Sequence, residues 1–292
     1  MRPQNLKTKI FLDSGNPVET REAIKLLGFL DGQTTNPSLI AKNPELQAKI
    51  SAGEKLSSEE VNSFYKSVIE EIQVMIPDGS ISIEVYADKN TNKEKMMEQA
   101  RIMNTWIPNT HIKLPITEAG LLAEHDLLKE GIHINMTLCF SEEQATAVYN
   151  ISSGAKKGDV FVSPFIGRLD DKGQNGMGLI ENIQKNYKKG DGHVELLAAS
   201  IRSYEHFLAC LVLEVDIITA PLKILEEWWK HDLELPGSDF VYDKKDLKDI
   251  EYKDIALDKN FIDYNLQHEL TDAGLEKFVS DWNSLMQNKA DL

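Results

Sequence analysis

Lys113 is the residue best placed for covalent chemistry, in the middle of the apolar, strand-like run HIKLPIT (111–117). Flanked by Ile112 and Leu114 on a short β-prone segment, its amine cannot easily reach water. A buried ammonium is costly unless it is paired or gives up its proton. A lysine relieved of its proton by desolvation is the nucleophile of Schiff-base chemistry with carbonyl compounds. The plain alternative is a lysine near a strand end whose stem lies on apolar surface while its head reaches solvent. Against that alternative stands the company it keeps at the ends of other strand-like runs.

Eight such runs recur: 9–13, 28–34, 81–87, 111–115, 133–140, 159–165, 194–200 and 216–220. Between them, segments 17–27, 93–105, 117–130, 141–150 and 203–214 carry helical periodicity. Strands alternating with helices predict parallel βα units, and eight units close into a (β/α)8 TIM barrel of the α/β class. Barrel enzymes build their sites at the carboxyl ends of the strands and in the loops that follow. Those positions hold Asp13, Asn36, Glu84, Lys113, Asn135 with Thr137, Ser163 with Arg168, and Ser200 with Arg202. Period two puts Asn135 and Thr137 on one face of their strand, and Ser82, Glu84 and Tyr86 on one face of theirs. Each residue also has a bland reading. Asp13 or Asn16 could cap the helix that Pro17 begins, Thr137 could reflect β-propensity, and Arg168 could be a surface charge. The bland reading has to hold at seven strand ends at once.

The chain has 292 residues, 41% hydrophobic and 27% charged, within the range of one barrel. No linker composition interrupts it. A single domain is expected, with the barrel over about 8–235 and a helical carboxyl-terminal extension over about 236–292. Two additions decorate the barrel. An extra helical segment, 44–77, follows the second strand, opened by a capping box of Ser57 with Glu60. The tail ends in an amphipathic helix striped by Leu275, Phe278, Val279, Trp282, Leu285 and Met286, a pattern of core or oligomer contact.

A net charge of −15 provides no basic footprint for nucleic acid. The acidic segment 232–264 reads as solvated surface, so an anionic substrate needs a local arginine cluster. No apolar run approaches a membrane span, the amino terminus lacks a secretory signal, and Cys139 and Cys210 read as buried thiols; a cytoplasmic protein is expected. The histidines show no metal-ligand spacing; His111 and His133, at strand starts, read as structural. KGQNGMG (172–178) does not have phosphate-loop spacing and reads as a flexible loop.

DGQTTNPSLI (31–40) and IKLPITEAG (112–120) closely resemble the two transaldolase signatures, the second containing the Schiff-base lysine. NMTLCFS (135–141), SPFIGR (163–168) and AASIR (198–202) are similar to the remaining family motifs, in order, so the resemblance covers about residues 8–222. It implies a class I aldolase-type barrel acting on sugar phosphates in the pentose phosphate pathway, without metal or organic cofactor, and a homo-oligomer. It also implies Lys113 as Schiff-base lysine, Asp13 as base for the C4 hydroxyl, and Glu84 and Thr137 acting through a water. Asn36, Asn135 and Ser163 would hold the dihydroxyacetone hydroxyls, and Arg168, Ser200 and Arg202 the phosphate. In the branch of the family that releases free dihydroxyacetone, the fructose-6-phosphate aldolases, the positions of Glu84 and Phe165 carry Gln and Tyr. The residues here favour transfer. A third reading is a non-catalytic barrel that binds sugar phosphates. The 44–77 segment and the tail match no family motif.

Overall fold

The computed structural model of the chain describes residues 2–54, 56–237 and 239–286. Strand β1 (Lys9–Asp13) leads to α1 (Pro17–Leu27), which Asn16 caps by accepting from Val18 N. Pro17 is pre-set for the first helical position. Strand β2 (Gly32–Thr34) is shorter than the run 28–34 suggested: Gly28 caps α1, and Asp31 is tied to Arg2 and to the Ile10 amide. Next come α2 (Pro37–Ala41), α3 (Pro44–Ser51) and α4 (Ser58–Met75), the last opened by the Ser57–Glu60 capping box. Helix α4 packs on α1 and on β3 (Ser80–Glu84), so it is the ring helix of the second unit, and the surplus material is α2 and α3.

The remaining units follow the predicted rhythm: α5 (Lys93–Asn104), β4 (Thr110–Pro115), α6 (Glu118–Lys129), β5 (His133–Cys139) and α7 (Glu142–Ile151). Then come β6 (Val160–Pro164), α8 (Ile166–Asp170), α9 (Gly176–Tyr187), β7 (Val194–Ala198), α10 (Tyr204–Val212), β8 (Ile217–Ala220) and α11 (Leu222–Lys230). All neighbouring strands are parallel and β1 closes on β8, giving an eight-stranded barrel inside a ring of helices. The run 172–178 is not a loose loop. Asn175 caps α9, and the backbone of Gly173 and Asn175 pairs with Lys248.

At the amino-terminal end the barrel is filled by Phe11, Phe161 and His111, the imidazole stacked 4.0 Å from the Phe161 ring. Nε2–H of His111 donates to Gly158 O and Nδ1 accepts from Ser80 Oγ, both at 2.8 Å. Burial pushes its pKa down to about 3, so it is a neutral, satisfied core histidine. His133 is exposed, with Nδ1 3.3 Å from the same carbonyl. Cys139 and Cys210 are buried, free thiols.

The acidic tail segment is more than solvated surface. Asn182, Asn186 and Asn150 donate to the carbonyls of Ile250, Lys253 and Leu257, lacing it to α7 and α9. The lacing steers helix α12 (Glu269–Asn283) to the carboxyl end of the barrel, where it packs on α2 and on β5. No helix among the described residues is long and apolar enough to cross a membrane.

Candidate active site

Register places the central residues side by side. Glu84 pairs with Lys113 across β3 and β4, and Lys113 with Asn135 across β4 and β5, so the three form one rung of the barrel. Both Lys113 and Glu84 are buried to within 4% of full enclosure, with Nζ 3.0 Å from Oε2. This contact is an ion pair first: it is close but not aligned as a hydrogen bond, and Oε2 has no hydrogen-bond donor among the described residues. Nζ also donates weakly to Thr35 O at 3.4 Å and lies 6.0 Å from the Phe165 ring centre. Thr137 Oγ1, on the neighbouring strand, is likewise buried and unpartnered among the described residues. Burial raises the Glu84 carboxyl above its ordinary range, partly opposed by the Lys113 charge.

Behind Glu84 stands a residue that the helical stripe of α4 had presented only as core. Tyr65 Oη accepts from Glu84 N at 3.0 Å and shares a 2.6 Å hydrogen bond with Thr35 Oγ1, which donates to Ser82 O. The ring helix thereby ties the ends of β2 and β3 together beside the Lys113–Glu84 pair.

Asp13 is half-buried at the end of β1. Its Oδ1 accepts from Thr34 Oγ1 at 2.7 Å, and that hydroxyl lies 2.6 Å from Thr219 Oγ1. With Asn16 capping α1, Asp13 is not used as a cap and remains available to the cavity. Burial raises its pKa, while Lys113, Thr34, Arg168 and Arg202 pull it back. Such a carboxyl is a better proton acceptor and donor near neutrality than an exposed one.

Ser163 Oγ donates to Asn135 Oδ1 at 2.6 Å, and Asn135 Nδ2 donates to Ser82 Oγ at 3.0 Å, a polar chain across the barrel interior. Asn36 caps α2 through Oδ1, accepting from Leu39 N, and can offer its amide NH2 to the cavity.

The cationic end is made where the first turn of α8 zips to the segment after β7: Ile166 N donates to Ala199 O, and Gly167 N to Ser200 O. A Cβ on Gly167 would lie 2.1 Å from Arg202 Cγ and 2.4 Å from Ser200 O, so only glycine permits this approach. Ser200 has a left-handed backbone, φ 59°, strain of a kind that persists where surrounding structure enforces it. Arg202 Nε donates to Ser200 Oγ and its Nη2 lies 3.3 Å from Asp171. Arg168 is half-buried between the rings of Phe165 and Phe278.

A cavity of about 370 Å3 joins these parts, bordered by Asp13, Asn36, Lys113, Ser163, Arg168 and Arg202, with Phe165 and Ser200 also on its wall. Glu84, Asn135 and Thr137 stand behind that wall, wholly buried. Among the described residues no His, Cys, Asp and Glu side chains converge as a metal-ligand group.

The family model described as transaldolase/fructose-6-phosphate aldolase matches residues 10–289. The chain belongs to this family. Curated relatives agree. It is 34% identical to a "Probable transaldolase" of Dehalococcoides mccartyi over 279 residues, covering 96% of this chain and all of the relative. A "Probable transaldolase" of Brucella melitensis is 39% identical over 229 residues, 78% of this chain and 92% of the relative. One from Roseiflexus castenholzii is 32% identical over 281 residues, 96% of this chain and all of the relative. In this transaldolase-family barrel, sequence reasoning missed Thr34, Thr219 and Tyr65, and also the wall that α2 and α12 supply: Ser38, Lys277, Phe278 and Asp281. Thr34 and Thr219 could have been found, because both stand at strand ends. The α12 residues carried no such signal: their helix is placed by contacts more than a hundred residues away in sequence, such as Thr271 to Leu138.

Proposed function

We propose that this chain is a transaldolase, moving a dihydroxyacetone unit from a ketose phosphate such as sedoheptulose 7-phosphate or fructose 6-phosphate to an aldose phosphate such as glyceraldehyde 3-phosphate or erythrose 4-phosphate. One observation carries the reading: the buried Lys113–Glu84 pair opens on a cavity with two arginines at its other end. Proton transfer from Nζ to Oε2 turns the ion pair into a neutral pair, which burial favours, and frees the amine lone pair. The amine adds to the C2 carbonyl, and loss of water gives an iminium. Glu84 and Thr137 each keep an unpartnered oxygen, free to hold a water that carries protons in these steps.

Asp13 then takes the proton of the C4 hydroxyl. The C3–C4 bonding electrons move to the iminium, leaving an enamine on Lys113 and releasing the aldose phosphate. The enamine adds to the acceptor aldehyde, Asp13 returns its proton to the new hydroxyl, and water hydrolyses the iminium. Asn36 and Ser163 hold the retained hydroxyls, with Asn135 bracing Ser163 from behind the cavity wall; Ser200 and the two arginines hold the phosphate, Arg168 and Arg202 by charge-assisted hydrogen bonds.

Transfer is favoured over release because Phe165, buried against Phe140 at the cavity, has no hydroxyl with which to protonate the enamine. The test is fructose 6-phosphate with and without erythrose 4-phosphate. Fast transfer and slow release of dihydroxyacetone are expected. Comparable rates would make the enzyme an aldolase.

A further inference from the structure

The two arginines of the cavity are held in different ways. Arg202 has Ser200 and Asp171 as polar partners. Arg168 has no hydrogen-bond acceptor or carboxylate partner among the described residues, and aromatic rings hold it instead: Phe165, the residue before α8, at 5.0 Å, and Phe278 of α12 at 5.4 Å. Helix α12 is built to reach it. A Cβ on Gly274 would lie 2.6 Å from Arg168 Nη1 and 2.6 Å from Leu138 Cδ2, so at this glycine the helix backbone rests against the guanidinium. One turn earlier, Thr271 Oγ1 donates to Leu138 O at 2.9 Å and accepts from Gln144 Nε2 at 2.8 Å. That carbonyl is presented by a register shift in β5, where Leu138 takes a left-handed backbone, φ 60°. At the other end Asp281 bonds Ser38 of α2, and Trp282 packs edge-on against Tyr65 at 5.9 Å. The helix is therefore pinned on both sides of Phe278, which is itself 4% exposed.

We propose that Phe278 is a positioning residue for Arg168, through which the carboxyl-terminal helix sets the affinity of the site for a phosphate monoester; this rests on the transaldolase reading for the substrate. Cation–π contacts hold the guanidinium without using its N–H donors, which stay available to a phosphate. It is fixed before the anion arrives, so less side-chain freedom is lost on binding. Phe278 acts through Arg168 and touches no reacting atom.

The test compares full-length wild type, Phe278→Leu, Phe278→Tyr and Gly274→Ala. Isothermal titration with inorganic phosphate reads the pocket without turnover, and steady-state kinetics with fructose 6-phosphate read it in catalysis. Phe278→Leu should raise the Kd for phosphate and the KM about fivefold or more, equivalent to ~1 kcal/mol of cation–π attraction, with kcat within about twofold. Phe278→Tyr, which keeps the ring, should hold wild-type values. Gly274→Ala strengthens the helix yet pushes its methyl into Nη1, and should weaken phosphate as well. An unchanged Kd in folded Phe278→Leu overturns the proposal, as does a fall in kcat at constant KM, or phosphate binding that Arg168→Ala leaves intact. Should wild type bind phosphate with these mutant effects yet transfer nothing, the transaldolase reading fails and the positioning role stands.

Discussion

Removing Lys113 alone should destabilise the barrel in a pH-dependent way that removing both members of its pair does not. At 3.0 Å, with both side chains 4% exposed, the charges attract by roughly 5 kcal/mol at an effective dielectric near 20. Desolvation consumes much of that attraction, so the measurable quantity is the cost of orphaning one charge, about 3–5 kcal/mol. Lys113→Met leaves the Glu84 carboxyl with burial and without its largest opposing influence. Its folded pKa, already raised above 4.5, must rise further. A raised carboxyl keeps its proton in the native state, so stability is intact below 4.5 and is lost as pH climbs toward the folded value. The slope in that window is about 1.4 kcal/mol per pH unit. Urea melts followed by circular dichroism at pH 5.5 and 7.5 would therefore show a deficit for Lys113→Met that is larger at the higher pH, growing by at most about 1.4 kcal/mol per pH unit. Lys113→Met/Glu84→Met, which replaces the pair with apolar groups, should fall within about 1 kcal/mol of wild type at both. A single-mutant deficit independent of pH, or a double mutant as damaged as the two singles summed, would refute this account of the pair.

Asp13→Ala should still form an adduct with fructose 6-phosphate but fail to cleave it, so borohydride would trap the whole six-carbon sugar phosphate; a three-carbon adduct at the wild-type rate would remove Asp13 from cleavage. Arg202→Ala should raise the KM for fructose 6-phosphate about tenfold, the loss of one charge-assisted contact of ~1.5–3 kcal/mol, and leave reaction with unphosphorylated fructose much less affected. His111, held neutral in the fold down to about pH 3, should make stability fall with acidification from 6.5 downward, because the unfolded chain takes the proton there first. His111→Phe should flatten part of that slope in the same urea melts. Glu124, wholly buried with both oxygens unpartnered among the described residues, is pushed well above 4.5 by burial and acts in the opposite sense. Its contribution is present at low pH and lost as pH rises through the folded value, so Glu124→Leu should gain stability most at alkaline pH.

The barrel and most of the residues gathered around the candidate cavity were legible because each strand end is a local signal. β1 and α1 match their sequence-based spans because a short apolar run, an asparagine cap and a proline at the first helical position mark their boundaries. Helix α9 was hidden by two glycines in its first turn, Gly176 and Gly178, which argue for a loop until the Asn175 cap and the pairing with Lys248 are seen. The rung of Glu84, Lys113 and Asn135 follows from register, which a sequence states only as a shared position near three strand ends. Phe278 and Tyr65 were readable as buried stripe residues and no more. Their parts in the site depend on where two helices dock, a tertiary property without a local code.

The proposed chemistry requires one covalent bond, between the substrate and Lys113. Incubation with fructose 6-phosphate and borohydride, followed by peptide mapping, should place a dihydroxyacetone-derived mass on the peptide holding Lys113, with EDTA making no difference. Label on another lysine, or turnover that survives Lys113→Ala, would contradict it.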